Sequence, residues 1–547
     1  MRLPGFANPR PRRFRFDALT PAAYTKLAHS PSYRAPGVRD LHDPETFRPP
    51  DPPSLSHAER NLLDAVLAVP DSDAPRLAFA DWLDAQGERD RARQIRRQVE
   101  DFHRGGRGES TCINPPSLSA SSAPSAVKTS AFAPWGAKDF VARRGFVEGM
   151  SLSGRAFISI GGGLFRMTPL RDVRLVAVQP FVGELAACPH LAKLRRLDLT
   201  GNRIGAAGVR DLAGSAYLGG LRELGLSGNA LAADGIAALR AAPWLSHLTA
   251  LELADNRLGP ADLAALFAGR LETLSSLDLS DNPLGGGWVS GAVASPLTNL
   301  RLTRCDLGSC GVGAVVSGVS HMLTELSLGF NAIGPAGATA VAGAASLAGL
   351  RTLNLGFNDI EDGGAAALAS CGTLTSLASL DLAGNRITAA GAVALGRAGG
   401  FGGVESLNFA ANPIGGEGAD ALLNGGAYAG LARLDLSNCG ITDAGLQRLA
   451  AGGRLGGLRA LSLAWNPFGD AGVEALASFG IAALASFGLA GLCELDLTGT
   501  RLGFAGAVAL AESAHLGNVR ALKLGENHRL PADAVALLRE RFGTITA

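Results

Sequence analysis

The chain has 547 residues, 47% of them apolar, with 72 glycines, seven cysteines and a formal net charge of +1. So even a balance excludes the strong field of a surface that seeks nucleic acid or membrane, and no apolar run, the stretch at 478–492 included, reaches the length needed to span a bilayer. An odd number of cysteines without a Cys-x-x-Cys pair fits a reducing compartment, here the cytoplasm, better than a disulfide framework.

Residues 1–53 are rich in Pro and Arg, lack apolar periodicity and lack the hydrophobic middle of a secretory signal, so they read as a disordered tail. Residues 54–103 read as a small helical domain. Ser56 and Glu59 form a capping box for a helix carrying Leu62, Leu63, Val66 and Leu67, which Pro70 closes. Asp73 caps a second helix that ends at Gly87. A third places Ala92, Ile95, Val99 and Phe102 on one side. Arg89, Arg93, Arg96 and Arg97 lie towards the other, paired with Glu88, Asp90 and Glu100. Residues 104–138 form a Ser/Pro/Gly linker. From 139 to 190 the alternation of "GFVEGMSLSG" and "LRDVRLVAV" predicts strands without a complete repeat, as in a cap that covers the exposed end of an array.

From 191 to 547 one phrase recurs, Leu-x-x-Leu-x-Leu-x-x-Asn-x-Leu. Its Asn position falls at Asn202, Asn229, Asn256, Asn282, Cys305, Asn331, Asn358, Asn385, Asn412, Cys439, Asn466, Thr500 and Asn527. Most neighbours are 27 residues apart, as Asn358 and Asn385 are. Leu353 and Leu355 alternate with Asn354 as a short strand requires, and Ala365, Leu368 and Ala369 come next at helical spacing. Neither half buries its apolar face alone, so the core exists only when units stack. The Asn slot predicts an inward amide that satisfies loop backbone groups, with Cys305, Cys439 and Thr500 as substitutes in the same ladder. Residues 531–542 predict a polar closing helix. Two spacings depart from the rule. The step from Asn282 to Cys305 is 23 residues, which with Pro296 predicts a helix shortened or replaced by loop, and the step from Asn466 to Thr500 is 34, from a near-duplication that predicts extra convex turns.

The phrase resembles leucine-rich repeats of the ribonuclease-inhibitor type, whose continuation Leu-Gly-x-x-Gly-Ala-x-x-Leu stands here as "IGAAGVRDL" at 204–212, "IGPAGATAV" at 333–341 and "LGFAGAVAL" at 502–510. The resemblance implies an α/β fold, a curved solenoid with parallel strands on the concave face and helices on the convex one. "DAPRLAFADWLDAQG" at 73–87 is similar to the repeat-companion domain that precedes repeats in large bacterial paralogous families, which implies a bacterial source and gives no reaction.

No phosphate loop, His-Glu-x-x-His, Gly-x-Ser-x-Gly or paired-cysteine spacing occurs, so no enzyme, cofactor or metal is expected. The middle strand position, facing the concave side, runs Asp198, Gly225, Glu252, Asp278, Arg301, Ser327, Asn354, Asp381, Asn408, Asp435, Ser462, Asp496 and Lys523, a mostly acidic series. Its recurring acids read as a charged surface. Nearby positions are mostly small except at Arg304, Phe330, Phe357 and Trp465, residue types that dominate binding hot spots. Phe330 and Phe357 read equally well as side chains tucked against neighbouring repeats. The candidate partner surface is Arg301, Arg304, Phe330 and Phe357, flanked by Asp255, Asp278 and Asp281, with Trp465 as a further anchor. The expected role is a monomeric, non-catalytic scaffold for a protein partner, with neither nucleic acid nor membrane. The alternatives are a regulator of a small GTPase, implied by eukaryotic proteins with such repeats, and a structural or surface protein.

Overall fold

Three helices open the structure, a computed structural model that describes residues 56–105, 132, 135–268, 271–287, 296–452, 457–478, 491–542 and 544–546. The tail read at 1–53, most of the linker and the near-duplication before Thr500 lie outside the described residues. Helix α1 spans His57–Ala68, α2 Ala74–Ala85 and α3 Arg89–Gly105. Ser56 Oγ accepts the Glu59 N–H at 3.2 Å and so satisfies one of the orphan donors at the start of α1. Asp73 behaves differently from the cap expected of it: its side chain makes no capping bond, and its carboxylate faces Arg144 at 3.6 Å. Arg96 likewise turns away from its own helix to Asp81 and Asp84 of α2, at 2.8 and 2.6 Å, whereas Arg93 stays with Asp90.

Strands β1 (Lys138–Arg143) and β2 (Phe146–Ser153) form an antiparallel hairpin, followed by α4 (Gly154–Met167) and β3 (Asp172–Val176), which pairs parallel to β2. Phe132 and Trp135, inside the span read as linker, are buried with their rings edge-on at 6.0 Å. The helices share a core with the hairpin: Leu63, Val66, Phe79, Leu83, Ile95 and Val99 close around Phe146. Beside it Arg76 and Glu148, both buried, pair at 2.7 Å, and Arg144 reaches the same carboxylate oxygen at 3.2 Å. Burial pulls the Arg76 guanidinium down to about 10, an effect opposed by the Glu148 charge.

Thirteen strands come next, one per repeat: β4 Arg196–Asp198, β5 Glu223–Gly225, β6 Ala250–Glu252, β7 Ser276–Asp278, β8 Asn299–Arg301, β9 Glu325–Ser327, β10 Thr352–Asn354, β11 Ser379–Asp381, β12 Ser406–Asn408, β13 Arg433–Asp435, β14 Ala460–Ser462, β15 Glu494–Asp496 and β16 Ala521–Lys523. Each pairs parallel with its successor in unbroken register, leucine opposite leucine, as at Leu353 and Leu380. The central leucine of every strand is buried while its neighbours on either side point to the opposite face. Helices such as Glu361–Ala369 bury Gly364, Ala365 and Leu368 against the sheet's other side. The result is a curved α/β solenoid with the sheet concave and the helices convex. In the 23-residue unit the described residues 279–287 and 296–298 are turn and loop. The last helix, Ala532–Arg541, is followed by a strand the pattern did not announce, β17 (Thr544–Thr546), parallel to β16. Three residues are too few to carry a periodic signal.

Candidate functional site

Strand passes into loop through one residue with a left-handed backbone, and that residue swings the next side chain inward. The position before the Asn slot has positive φ in all thirteen units, from Gly201 at 77° to Glu526 at 60°. The turn delivers the Asn358 amide to the interior. Its Nδ2 donates to the carbonyls of Leu328 and Leu355, both at 2.9 Å, and its Oδ1 accepts the Asn331 N–H at 2.8 Å. At the Cys305 and Cys439 positions the thiol donates to a carbonyl of the preceding unit, Leu279 and Phe409, at 3.3 Å. Thr500 Oγ1 reaches Leu497 O at 3.1 Å and Asn527 Oδ1 at 2.8 Å.

Burial pushes the Cys305 and Cys439 thiols up to about 12, which removes the thiolate that nucleophilic chemistry needs. Cys310 and Cys493 are exposed. Iodoacetamide near pH 8 should therefore alkylate Cys310 and Cys493 in the folded protein, and Cys305 and Cys439 only after denaturation; peptide mass mapping reads this directly. Early labelling of Cys305 would show that the ladder opens.

The recurring acids of the concave strands have a job that sequence reasoning missed. Oδ1 of Asp198, Asp278, Asp381, Asp435 and Asp496 each accepts the N–H two residues on, at 2.8–2.9 Å, and Asn354 and Asn408 do the same at 2.9 and 3.1 Å. Asp and Asn recur there because both can close this local turn. The interchange of Asp and Asn at a single register position was the available signal. Burial, reinforced by nearby Asp435, raises Asp381 above the usual carboxylate value, against the hydrogen bonds from Ala383 and Asn408 that lower it.

On the loop edge of this face, three successive units place Arg304, Phe330 and Phe357 side by side. The rings of Phe330 and Phe357 are stacked, with centroids 4.4 Å apart and planes 9° from parallel. The Arg304 guanidinium lies 4.8 Å over the outer face of Phe330 and pairs with Asp281 at 3.3 Å. In the next unit stands Gly384, and a Cβ there would collide with the Phe357 ring. Phe330 and Phe357 thus pack on neighbours and yet remain 43% and 46% exposed. All three side chains occupy left-handed positions, φ 55°, 59° and 59°, which four other units fill with glycine. A bulky residue there costs about 1–3 kcal/mol, and such strain persists where something else rewards it.

Of the remaining predicted site residues, Arg301 is exposed and stands in register between Asp278 and Ser327. Asp255 is exposed at the loop position one unit before Asp281. Trp465 does not join the stack. It lies against Gly499, with the units of Gly384, Ala411 and Asn438 between it and Phe357. Among the described residues no group of three potential ligands is placed to hold a metal ion, and no helix is long and apolar enough to cross a membrane.

Comparison with known proteins gives a consistent picture of the repeats. Eight segments, residues 190–213, 245–267, 319–342, 350–369, 373–396, 404–423, 431–450 and 458–477, match the model of the Leucine Rich repeat family. The chain carries leucine-rich repeats, a class that generally mediates protein–protein interaction. No curated protein matches the chain. Among solved structures, a chain of the yeast Rad7 and Elc1 complex is 17% identical, with 72% of this chain and 85% of that one covered and a TM-score of 0.40. An internalin, inlF of Listeria monocytogenes, is 19% identical over 68% of this chain and 94% of its own, also with a TM-score of 0.40.

Proposed function

We propose that this protein is a non-catalytic, cytoplasmic interaction scaffold of the ribonuclease-inhibitor-like kind, whose protein partner docks on the concave face of the repeats. The observation that carries this reading is the half-exposed stack of Arg304, Phe330 and Phe357 beside the exposed Arg301 at the loop edge of the concave face. Aromatic and Arg side chains supply most of the energy at protein interfaces, and a rigid sheet presents them without further ordering cost. Buried thiols and strand carboxylates already engaged in local turns fit a binding role better than a catalytic one.

The test is site-specific photo-cross-linking in the native cell. A p-benzoylphenylalanine replacing Ser327, on the concave strand β9, is expected to capture one discrete partner about tenfold more efficiently than one replacing Glu417 on a convex helix. Equal capture from both positions, or more from Glu417, would overturn the reading.

A further inference from the structure

The stack says more about its occupant than that it is a protein, because its ring faces are already spent. Phe330 is covered on one side by Arg304 and on the other by Phe357, and the far face of Phe357 rests on Gly384. Solvent therefore meets the edges of the two rings, together with the Arg304 side chain, 54% exposed, and the exposed Arg301. An aromatic ring is negative on its faces and positive along its edge. The patch thus presents two ring edges and two guanidinium groups of positive potential, with the Asp281 carboxylate, 42% exposed, held against Arg304.

The surrounding charges narrow this further. Asp281 is engaged by Arg304, and Asp278 and Asp381 turn an oxygen to the N–H groups of Ser280 and Ala383, so these acids are paired or held in local turns. Asp255 lies one unit further out, and Glu325 stands on the far side of Ser327 from Phe330. Beneath the stack Gly329 and Gly356 are buried, with the Asn354 side chain close against both, so a partner meets the stack from its exposed ring edges. A cationic segment would meet the arginines and find no ring face to sit on; cation–π contact needs a face.

Resting on the scaffold reading, we propose that the partner inserts an extended acidic segment, with a carboxylate against Arg301, Arg304 and the edges of Phe330 and Phe357. Charge complementarity sets the sign of the partner, and the outlying acids turn away basic competitors.

The test uses the full chain and two fluorescein-labelled dodecapeptides, one alternating Asp and Phe within a Gly/Ser background and one with Lys in place of Asp, read by fluorescence anisotropy. The Asp peptide should bind at least about tenfold more tightly than the Lys peptide. Phe330→Gly together with Phe357→Gly should weaken the Asp peptide by at least about tenfold. The same change should leave the thermal midpoint equal or raised, since glycine suits the backbone there; a lesion that merely unfolded the repeat would lower both. Arg301→Glu with Arg304→Glu should reverse the peptide preference, and Glu417→Ala on a convex helix should leave it unchanged. Tighter binding of the Lys peptide overturns the proposal. So does failure of both peptides to bind a protein that still cross-links its partner through position 327, and in that case the scaffold reading survives. Loss of the position 327 cross-link as well removes both.

Discussion

Replacing Glu148 by alanine is expected to destabilise the N-terminal part of the structure by about 3–5 kcal/mol, the usual cost of removing one partner from a buried ion pair. Glu148 is 2% exposed and is the carboxylate on which Arg76 and Arg144 converge, at 2.7 and 3.2 Å. Arg76 is fully buried, its other hydrogen bonds go to neutral carbonyls, Pro70 O at 2.8 Å and Arg144 O at 3.4 Å, and its guanidinium lies 5.2 Å over the Phe146 ring. Without Glu148, two guanidinium groups share a site whose burial already depresses one of them, and Asp73 at 3.6 Å from Arg144 is too peripheral to replace the lost charge. The effect should be local, because a stacked array couples mainly through nearest neighbours. Hydrogen exchange across 57–105 and 138–153 should accelerate by orders of magnitude while the units near Asn385 keep wild-type protection. Unchanged exchange in α1–α3 would show that the apolar packing around Phe146 holds the helices by itself.

The second large effect is expected at Asn358→Ala, about 1–3 kcal/mol, the usual cost of a buried donor left without its acceptor. The amide joins its own unit to the one before through Leu355 O and Leu328 O, and accepts the N–H of Asn331. Alanine leaves the Asn331 N–H without its acceptor and takes one of two donors from each carbonyl, Leu328 O keeping Asn331 Nδ2 and Leu355 O keeping Asn385 Nδ2, in a site that is 0% exposed. Asn358→Cys should cost less, because the thiols of Cys305 and Cys439 make the corresponding bond to the preceding unit. Denaturant melts of the two variants should therefore rank Ala below Cys below wild type. Coincident melts would show that the slot contributes nothing to the coupling of units.

The repeated part of the fold was legible because its physics is local and iterated. Leu353 and Leu355 flanking Asn354 specify a strand, Ala365 and Leu368 a helix, and one register satisfies every unit at once, so the parallel pairing of β4–β16 arises from the period. Even the residues of the aromatic stack could be named, since they break a small-residue pattern. Their arrangement could not. That Phe357 meets Phe330 and Gly384 while Trp465 stands alone depends on which unit neighbours which, and on ring orientations that spacing does not encode.

The turn-closing role of Asp198, Asp278, Asp381, Asp435 and Asp496 was hidden for a different reason, since an acid on a concave face looks the same in sequence whether its oxygen meets water or the N–H two residues on. The sequence by itself determined the solenoid, its period and its strand register, because hydrophobic alternation and helical spacing act between residues a few positions apart. Only the tertiary structure decided how α1–α3 meet the hairpin. Arg76 and Glu148 are 72 positions apart and belong to no repeat, and Arg96 pairs 12 and 15 positions back instead of within its own helix. β17 closes the sheet with three residues. Such contacts are selected by burial and charge pairing in space, for which a linear pattern holds no period to read.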